Sequence, residues 1–295
     1  MMLRRLLLFA AAAATIPPVA AATPLRVVAS FSILADMVRQ IGGSAVSVTT
    51  LVPVDGDAHE YQPKPSDLRA LKGAGLVVLN GFDLEGWIER LVQTSGYSGP
   101  VIVATTGVSA RRMEANGTPE IDPHAWQDPR RGAIYARNIA EGLAGADPAN
   151  AATFRARGAE YIRQIEQTDA WIEDQLAGVP AAKRKILTSH DAFGYFGARY
   201  GIEFHGVQGL NTEAEPSAKE IAALVRRIRS ENIRAVFVEN MTSPKLALAV
   251  ARETGAVVGP VIYSDALSKS DGPAGTYLAM FRYNVPLFAK AMQAN

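Results

Sequence analysis

Three of the four histidines in this chain stand at strand-to-loop positions in segments rich in Pro, Gly or Asp: His59 in VPVDGDAHEYQP, His124 in EIDPHAWQDP and His190 in LTSHDAFGYF. A fourth candidate ligand, Asp265 in VIYSDALS, follows the run AVVGPVI. Three neutral imidazoles and one carboxylate complete a tetrahedral shell for Zn²⁺, which takes nitrogen at about 2.0–2.1 Å and has no d-electron preference in geometry. Mn²⁺ gains more from oxygen ligands, and divalent affinity at a nitrogen-rich site rises from Mn²⁺ to Zn²⁺. Zinc is therefore the expected ion and manganese the alternative. Asp265 taken alone also reads as an ordinary turn residue. His205 stands in the strand-like IEFHGVQG, reads as a hydrogen-bonded core or rim histidine, and is left out of the shell.

Other polar residues around these segments have structural readings at least as good as functional ones. Asp122 and Asp191 neighbour His124 and His190 and could accept imidazole N–H groups, although adjacent residues on an extended chain point apart. Glu213 and Glu215 in NTEAEPS read as the start of a helix. Glu239 closes the run RAVFVEN as a strand-end acid, and Trp87, Trp126 and Trp171 read as packing.

Ligands brought from such distant segments need a scaffold. From Leu25 the chain alternates β-branched runs with amphipathic stretches (LRVVAS, FSILADMVRQIGG, VSVTTLV, PSDLRALKGAG, LVVLN), and a second series runs from KILTS to AVVGPVI. This is the signature of βαβ units on mostly parallel sheets. Between the halves, Asp147 and Pro148 start a pattern in which Phe154, Tyr161, Ile165, Ile172 and Leu176 recur at helical spacing up to Gly178. A helix of about 30 residues, roughly 45 Å long, exceeds what one domain core needs. The expected organisation is α/β: residues 23–146 as an N-terminal domain, 147–179 as a long rigid backbone helix, 180–295 as a C-terminal domain, and the metal site in the cleft between them. Ligands in open α/β sheets sit beyond the carboxyl ends of the strands, which is where His59, His190 and Asp265 fall.

The first 22 residues carry Arg4 and Arg5 before an apolar stretch with small residues at its end, the pattern of a cleavable signal peptide. The stretch is too short to span a membrane. The chain has no cysteine, so disulfides, thiolate ligands and a lipidated N-terminal cysteine are not expected, and the protein reads as free in a periplasm without a direct membrane anchor. Lys and Arg number 30 against 29 Asp and Glu, a balance that offers no attraction for nucleic acid.

The segments DAHEYQPKPSDL (57–68), DPHAWQDP (122–129), TSHDAFGYFGARYG (188–201), QGLNTEAEPSAKEI (208–221) and VIYSDALS (261–268) together resemble the zinc- and manganese-binding solute-binding proteins of bacterial ABC transporters, over essentially the whole chain after the leader. The resemblance implies a monomer that carries one metal between two domains to a membrane permease, with His59, His124, His190 and Asp265 at the ligand positions. A histidine at the third position, as His190 here, is typical of the zinc carriers, and a glutamate of the manganese carriers. The short ARRMEANGTPE (110–120) stands where many zinc members carry a long His-rich loop, so no auxiliary metal-capturing loop is expected. A metal-dependent adhesin and a periplasmic zinc hydrolase are the competing readings; no HExxH or GxSxG motif is present to support the hydrolase. Affinity is expected to fall as pH drops through roughly 6 to 5, and the long connector to limit closure to a modest tilt.

Overall fold

A computed structural model describes residues 23–115, 118–210, 212 and 215–295; the expected signal peptide lies outside them. The first half opens with β1 (Leu25–Phe31), α1 (Ser32–Gly42), β2 (Val46–Val52), α2 (Pro65–Lys72), β3 (Leu76–Leu79), α3 (Ile88–Ser95) and β4 (Val101–Val103). The strands form a parallel sheet in the order β2-β1-β3-β4. α1 forms because Ile33, Leu34, Met37, Val38 and Ile41 make one apolar stripe, and all five are buried.

Next comes an antiparallel pair, β5 (Arg112–Ala115) and β6 (Thr118–Ile121), with Arg112 opposite Ile121 and Met113 opposite Glu120. From the sequence alone, residues 110–120 are expected to form only a short loop. The dipeptide Asn116-Gly117, which favours the tight turns that join antiparallel strands, is the signal against that expectation. α4 (Pro129–Ala146) follows, with Asp128 capping it by accepting from Arg130 N–H.

The long helix is α5 (Ala151–Leu176), 26 residues, preceded by a 3₁₀ turn at Pro148–Asn150 that takes the Asp147-Pro148 start. It buries Phe154, Tyr161, Ile165, Ile172 and Leu176 and packs on α1 and α4. At Gly158 it approaches α4 closely: a Cβ there would stand 2.6 Å from that of Ala140.

The second half contains β7 (Lys185–Thr188), α6 (Gly194–Tyr200), β8 (Glu203–Gly206), α7 (Ala218–Ser230), β9 (Ala235–Phe237), α8 (Lys245–Thr254), β10 (Val257–Val258) and α9 (Tyr277–Ala294). Its sheet is also parallel, ordered β10-β9-β7-β8. Ser217 and Glu220 form a reciprocal capping box at the start of α7; Glu215 is exposed, and Glu213 lies outside the described residues. The fold is therefore α/β, with two domains of parallel sheet and a long helix between them.

The largest apolar core crosses the domain boundary. Val27, Ala29 and Ile41 of the first half share it with α5, with Ile186 and Phe237 of the second sheet, and with Met280, Phe281, Val285 and Phe288 of α9. A smaller core of Leu187, Val225, Ile228, Val236 and Val250 lies on the other face of the second sheet, under α7 and α8. Among the described residues no helix is long and apolar enough to cross a membrane.

Candidate metal centre

The carboxyl ends of both sheets face one cleft, and the loops beyond them carry the four residues singled out from the sequence. His59 lies in the β2–α2 loop, where Asp57 accepts from its backbone N–H at 2.8 Å and the Trp87 indole N–H donates to the Ala58 carbonyl at 2.9 Å. Trp87 thus fixes the loop beside His59 and does more than pack. His124 begins the 3₁₀ turn between β6 and α4. His190 follows β7, and Asp265 follows Ile262, which bridges to Glu239 in parallel.

One donor atom from each side chain converges with the others within 4.8 Å. Asp265 Oδ2 is 3.2 Å from His59 Nε2, 3.1 Å from His190 Nε2 and 3.5 Å from His124 Nε2, and the His59 and His124 Nε2 atoms are 3.3 Å apart. A tetrahedral ion with bonds of about 2.0–2.1 Å needs donor–donor edges of about 3.3–3.4 Å, so these four of the six edges fit a first-row dication. Ca²⁺ is excluded, since it takes six to eight oxygen ligands at about 2.3–2.6 Å. Asp265 Oδ1 is buried with no hydrogen-bond partner.

Each inner imidazole is held by its own carboxylate. Asp122 Oδ1 accepts from His124 Nδ1–H at 2.8 Å and from its backbone N–H at 3.0 Å, while Oδ2 accepts from Arg111 at 2.9 Å. Glu239 Oε1 accepts from the His190 backbone N–H at 2.9 Å, and Oε2 lies 2.6 Å from His190 Nδ1, close but off the line of an ideal hydrogen bond. Such partners fix the tautomer, leaving Nε2 as the free donor, and raise ligand basicity. Asp191 does not join them: its carboxylate accepts from Gly206 N–H and holds a turn.

The electrostatics follow. Burial opposes a charge on His124, but the charges of Asp265 and Asp122 outweigh it and lift its pKa to about 9. His190 is likewise raised well above its ordinary value: burial works against protonation, and Glu239 and Asp265 prevail. Burial would push Asp265 up, yet the two imidazoles hold it well below the usual carboxylate range.

Cavities of about 500 and 390 Å³ adjoin the outer side of His59, both bordered by Asp83. A slightly larger one of about 510 Å³ lies between Arg111, α6 and β8 and is lined by none of the four residues. His205 is away from the centre, beside Glu203 and Glu231, where Lys185 and Arg227 already neutralise both carboxylates.

The sequence model of a family described as ZnuA, zinc-uptake complex component A, periplasmic, matches residues 27–291. The chain belongs to this family. The manganese-binding lipoprotein MntA of Halalkalibacterium halodurans is 33% identical over 268 residues, covering 91% of this chain and 88% of MntA. The iron-binding protein YfeA of Yersinia pestis is 33% identical over 274 residues, covering 92% and 88%. A manganese-bound variant of the periplasmic metal-binding protein from Candidatus Liberibacter asiaticus superposes with a TM-score of 0.84 at 31% identity, covering 91% of this chain and 99% of that one. As a member of the family the chain is a metal-binding solute-binding protein of an ABC transporter and not an enzyme.

Proposed function

We propose that this protein captures Mn²⁺ outside the cytoplasm and delivers it to the permease of an ABC importer, with His59, His124, His190 and Asp265 as the ligands. The observation that carries the metal-capture reading is the convergence of three imidazole Nε2 atoms on one buried carboxylate oxygen. Four protein donors close a tetrahedral shell, which suits a cargo and leaves no open position for a catalytic water.

Manganese as the cargo is supported by relatives named for that metal and by the unpartnered Asp265 Oδ1, which offers the additional oxygen that Mn²⁺ favours. Zinc, the ion expected from the ligand types, is the second reading; the 3.1–3.5 Å spacings and the imidazole at the third position favour it. Zn²⁺ should bind the isolated protein more tightly than Mn²⁺ under either reading, so the cargo is decided by supply and release.

The working protein is read as a monomer, free in the periplasm after removal of residues 1–22, with 147–179 joining 23–146 to 180–295. MntA is named a lipoprotein, whereas no residue of this chain is a cysteine that could carry a thioether-linked lipid. The test is uptake of radioactive Mn²⁺ and Zn²⁺ by cells with and without the gene, beside chelator competition on the purified protein. Loss of Mn²⁺ uptake alone supports manganese; loss of Zn²⁺ uptake alone replaces it with zinc; loss of neither refutes import.

A further inference from the structure

The segment that carries Asp265 changes sides just before it. Up to Ile262 the chain belongs to the second sheet: Gly259 N–H donates to Val236 O at 2.9 Å, Ile262 N–H to Val238 O at 2.9 Å, and Asn240 N–H to Ile262 O at 3.0 Å. Tyr263 is then pinned to α9, with Asn284 accepting from its N–H and donating to its carbonyl. From Ser264 onward the backbone anchors on either side of Asp265 run to the first half, while the Ser264 hydroxyl still reaches Met241 Sδ of the second half at 3.9 Å. The Ser264 carbonyl accepts from Trp126 Nε1 at 2.9 Å and from Gln127 Nε2 at 2.8 Å. Leu267 donates to Ser32 Oγ at 3.0 Å and accepts from Asp55 N–H at 3.1 Å.

The start of α9 continues the attachment. Tyr277 N–H donates to Asp36 of α1 at 2.8 Å, and its hydroxyl donates to the Trp126 carbonyl at 2.5 Å. That hydroxyl reaches Trp126 across Gly132 of α4, where a Cβ would stand 2.3 Å from it. By contrast, the loop of His190 is tied within its own sheet, to Glu239 and through Thr188 Oγ1. The first half also bonds the body of the second domain through side chains of Tyr195, Thr212 and Asn240, none of which holds His190.

We propose that the centre is divided three to one: His59, His124 and Asp265 form one body with the first half, and His190 alone moves with β7, β9 and Glu239 when the ion is released. Trp126 and Gln127 are the positioning residues that assign Asp265 to that body. This rests on the reading of the four residues as ligands and adds how they part. Each inner imidazole then keeps its own carboxylate, so separation exposes no orphaned N–H. The ion loses one ligand while three remain, which lets it leave through a three-coordinate stage.

The test is a double-mutant cycle in the full chain, read as Zn²⁺ affinity against a competing chelator. Gln127→Leu removes the amide at similar volume, and losing one buried hydrogen bond to the Asp265 loop should weaken binding about 5- to 10-fold. Because it acts through Asp265, Gln127→Leu should add nothing in an Asp265→Ala background and should repeat its full factor in a His190→Ala background. An equal factor in the Asp265→Ala background, or none in the wild type, overturns the proposal. Trp126→Phe, checked for folding by its melting temperature without added metal, should follow the same pattern.

A second measurement is independent of affinity. The chain has no native cysteine, so spin labels can be placed at exposed pairs Glu141 with Asp271 and Glu141 with Arg252. Removing Zn²⁺ should leave the first distance unchanged and shift the second; equal shifts, or none in either pair, overturn the three-to-one division. A wild type that binds no ion at all would instead refute the proposed function itself.

Discussion

Replacing Glu239 by glutamine tests whether the carboxylate behind His190 sets the metal affinity. Oε1 accepts from the His190 backbone N–H, Oε2 stands 2.6 Å from Nδ1 as a close charge contact, and both side chains are fully buried. When Nε2 binds an ion, Nδ1 must carry its hydrogen and needs an acceptor. Glutamine has one acceptor oxygen. If that oxygen serves the backbone N–H, the amide NH₂ faces Nδ1–H, leaving a buried donor without a partner at a cost of about 1–3 kcal/mol. Loss of such an outer partner weakens metal binding roughly 10- to 100-fold, about 1.4–2.7 kcal/mol.

The two estimates overlap, so Glu239→Gln is expected to raise the dissociation constants of Zn²⁺ and Mn²⁺ by one to two decades in chelator competition. Asp122→Asn should be milder. Its oxygen can still accept from both N–H groups of His124, and Arg111, one-third exposed, can swing toward solvent when its partner loses charge. An affinity within twofold of wild type for Glu239→Gln, with an unchanged melting temperature, would refute the claim that Glu239 holds the ring. So would a larger loss for Asp122→Asn.

Affinity should keep rising with pH past the ordinary histidine range. His124 is lifted to about 9, so below that value an incoming ion must displace protons, and a dissociation constant that is flat between pH 7 and 8.5 would contradict the network. The same raised pKa stabilises the protonated fold: in chelator-stripped protein that contribution is complete below pH ~6.5, the unfolded value, and is lost as pH rises through about 9. Free Zn²⁺ at about 1,000 times its dissociation constant should stabilise the fold by about 4 kcal/mol, an upward shift in melting temperature on the order of 10 °C. In His190→Ala that shift should shrink severalfold, and an equal shift in the variant would remove His190 from the ligand set.

What was legible in the sequence was local. His59, His190 and Asp265 each stand in a turn-rich segment after a β-branched run, and the parallel sheets that the alternation predicted put those run-ends on one side, whereas His124 follows β6 of the antiparallel pair. The partners behind the ligands were not legible, because they depend on strand order. Glu239 meets His190 only because β9 pairs with β7 across two intervening helices and a strand, and nothing in RAVFVEN announces that neighbour. Asp122 is from sequence only a possible acceptor, since adjacent residues of a strand diverge, but it lies two before His124, where an extended chain returns to the same side. The expected pH window of 6 to 5 rests on unperturbed imidazoles and leaves out the upward shift caused by Asp265 together with these two carboxylates. The attachment of Ser264 and Leu267 to the first half depends on Ser32, Asp55, Trp126 and Gln127, far away in sequence, and no periodicity encodes it.

These partners also account for the charge of the cargo. The groups in contact at the centre include three buried carboxylates, Asp122, Glu239 and Asp265, and one guanidinium, Arg111. Two positive charges are needed for balance in a setting where an uncompensated charge costs several kcal/mol. Protons on His124 and His190 supply them, which is why both imidazoles are raised against the effect of burial. A dication supplies the same two charges while converting both rings to neutral ligands, so binding becomes an exchange of about two protons for one ion. A monovalent ion would leave the cluster short of one charge, and no conformational gate is needed to reject it. With the proposed ligand set, the carboxylates behind the imidazoles select the charge of the cargo, and the Nε2 and Oδ2 atoms in front select its size and softness.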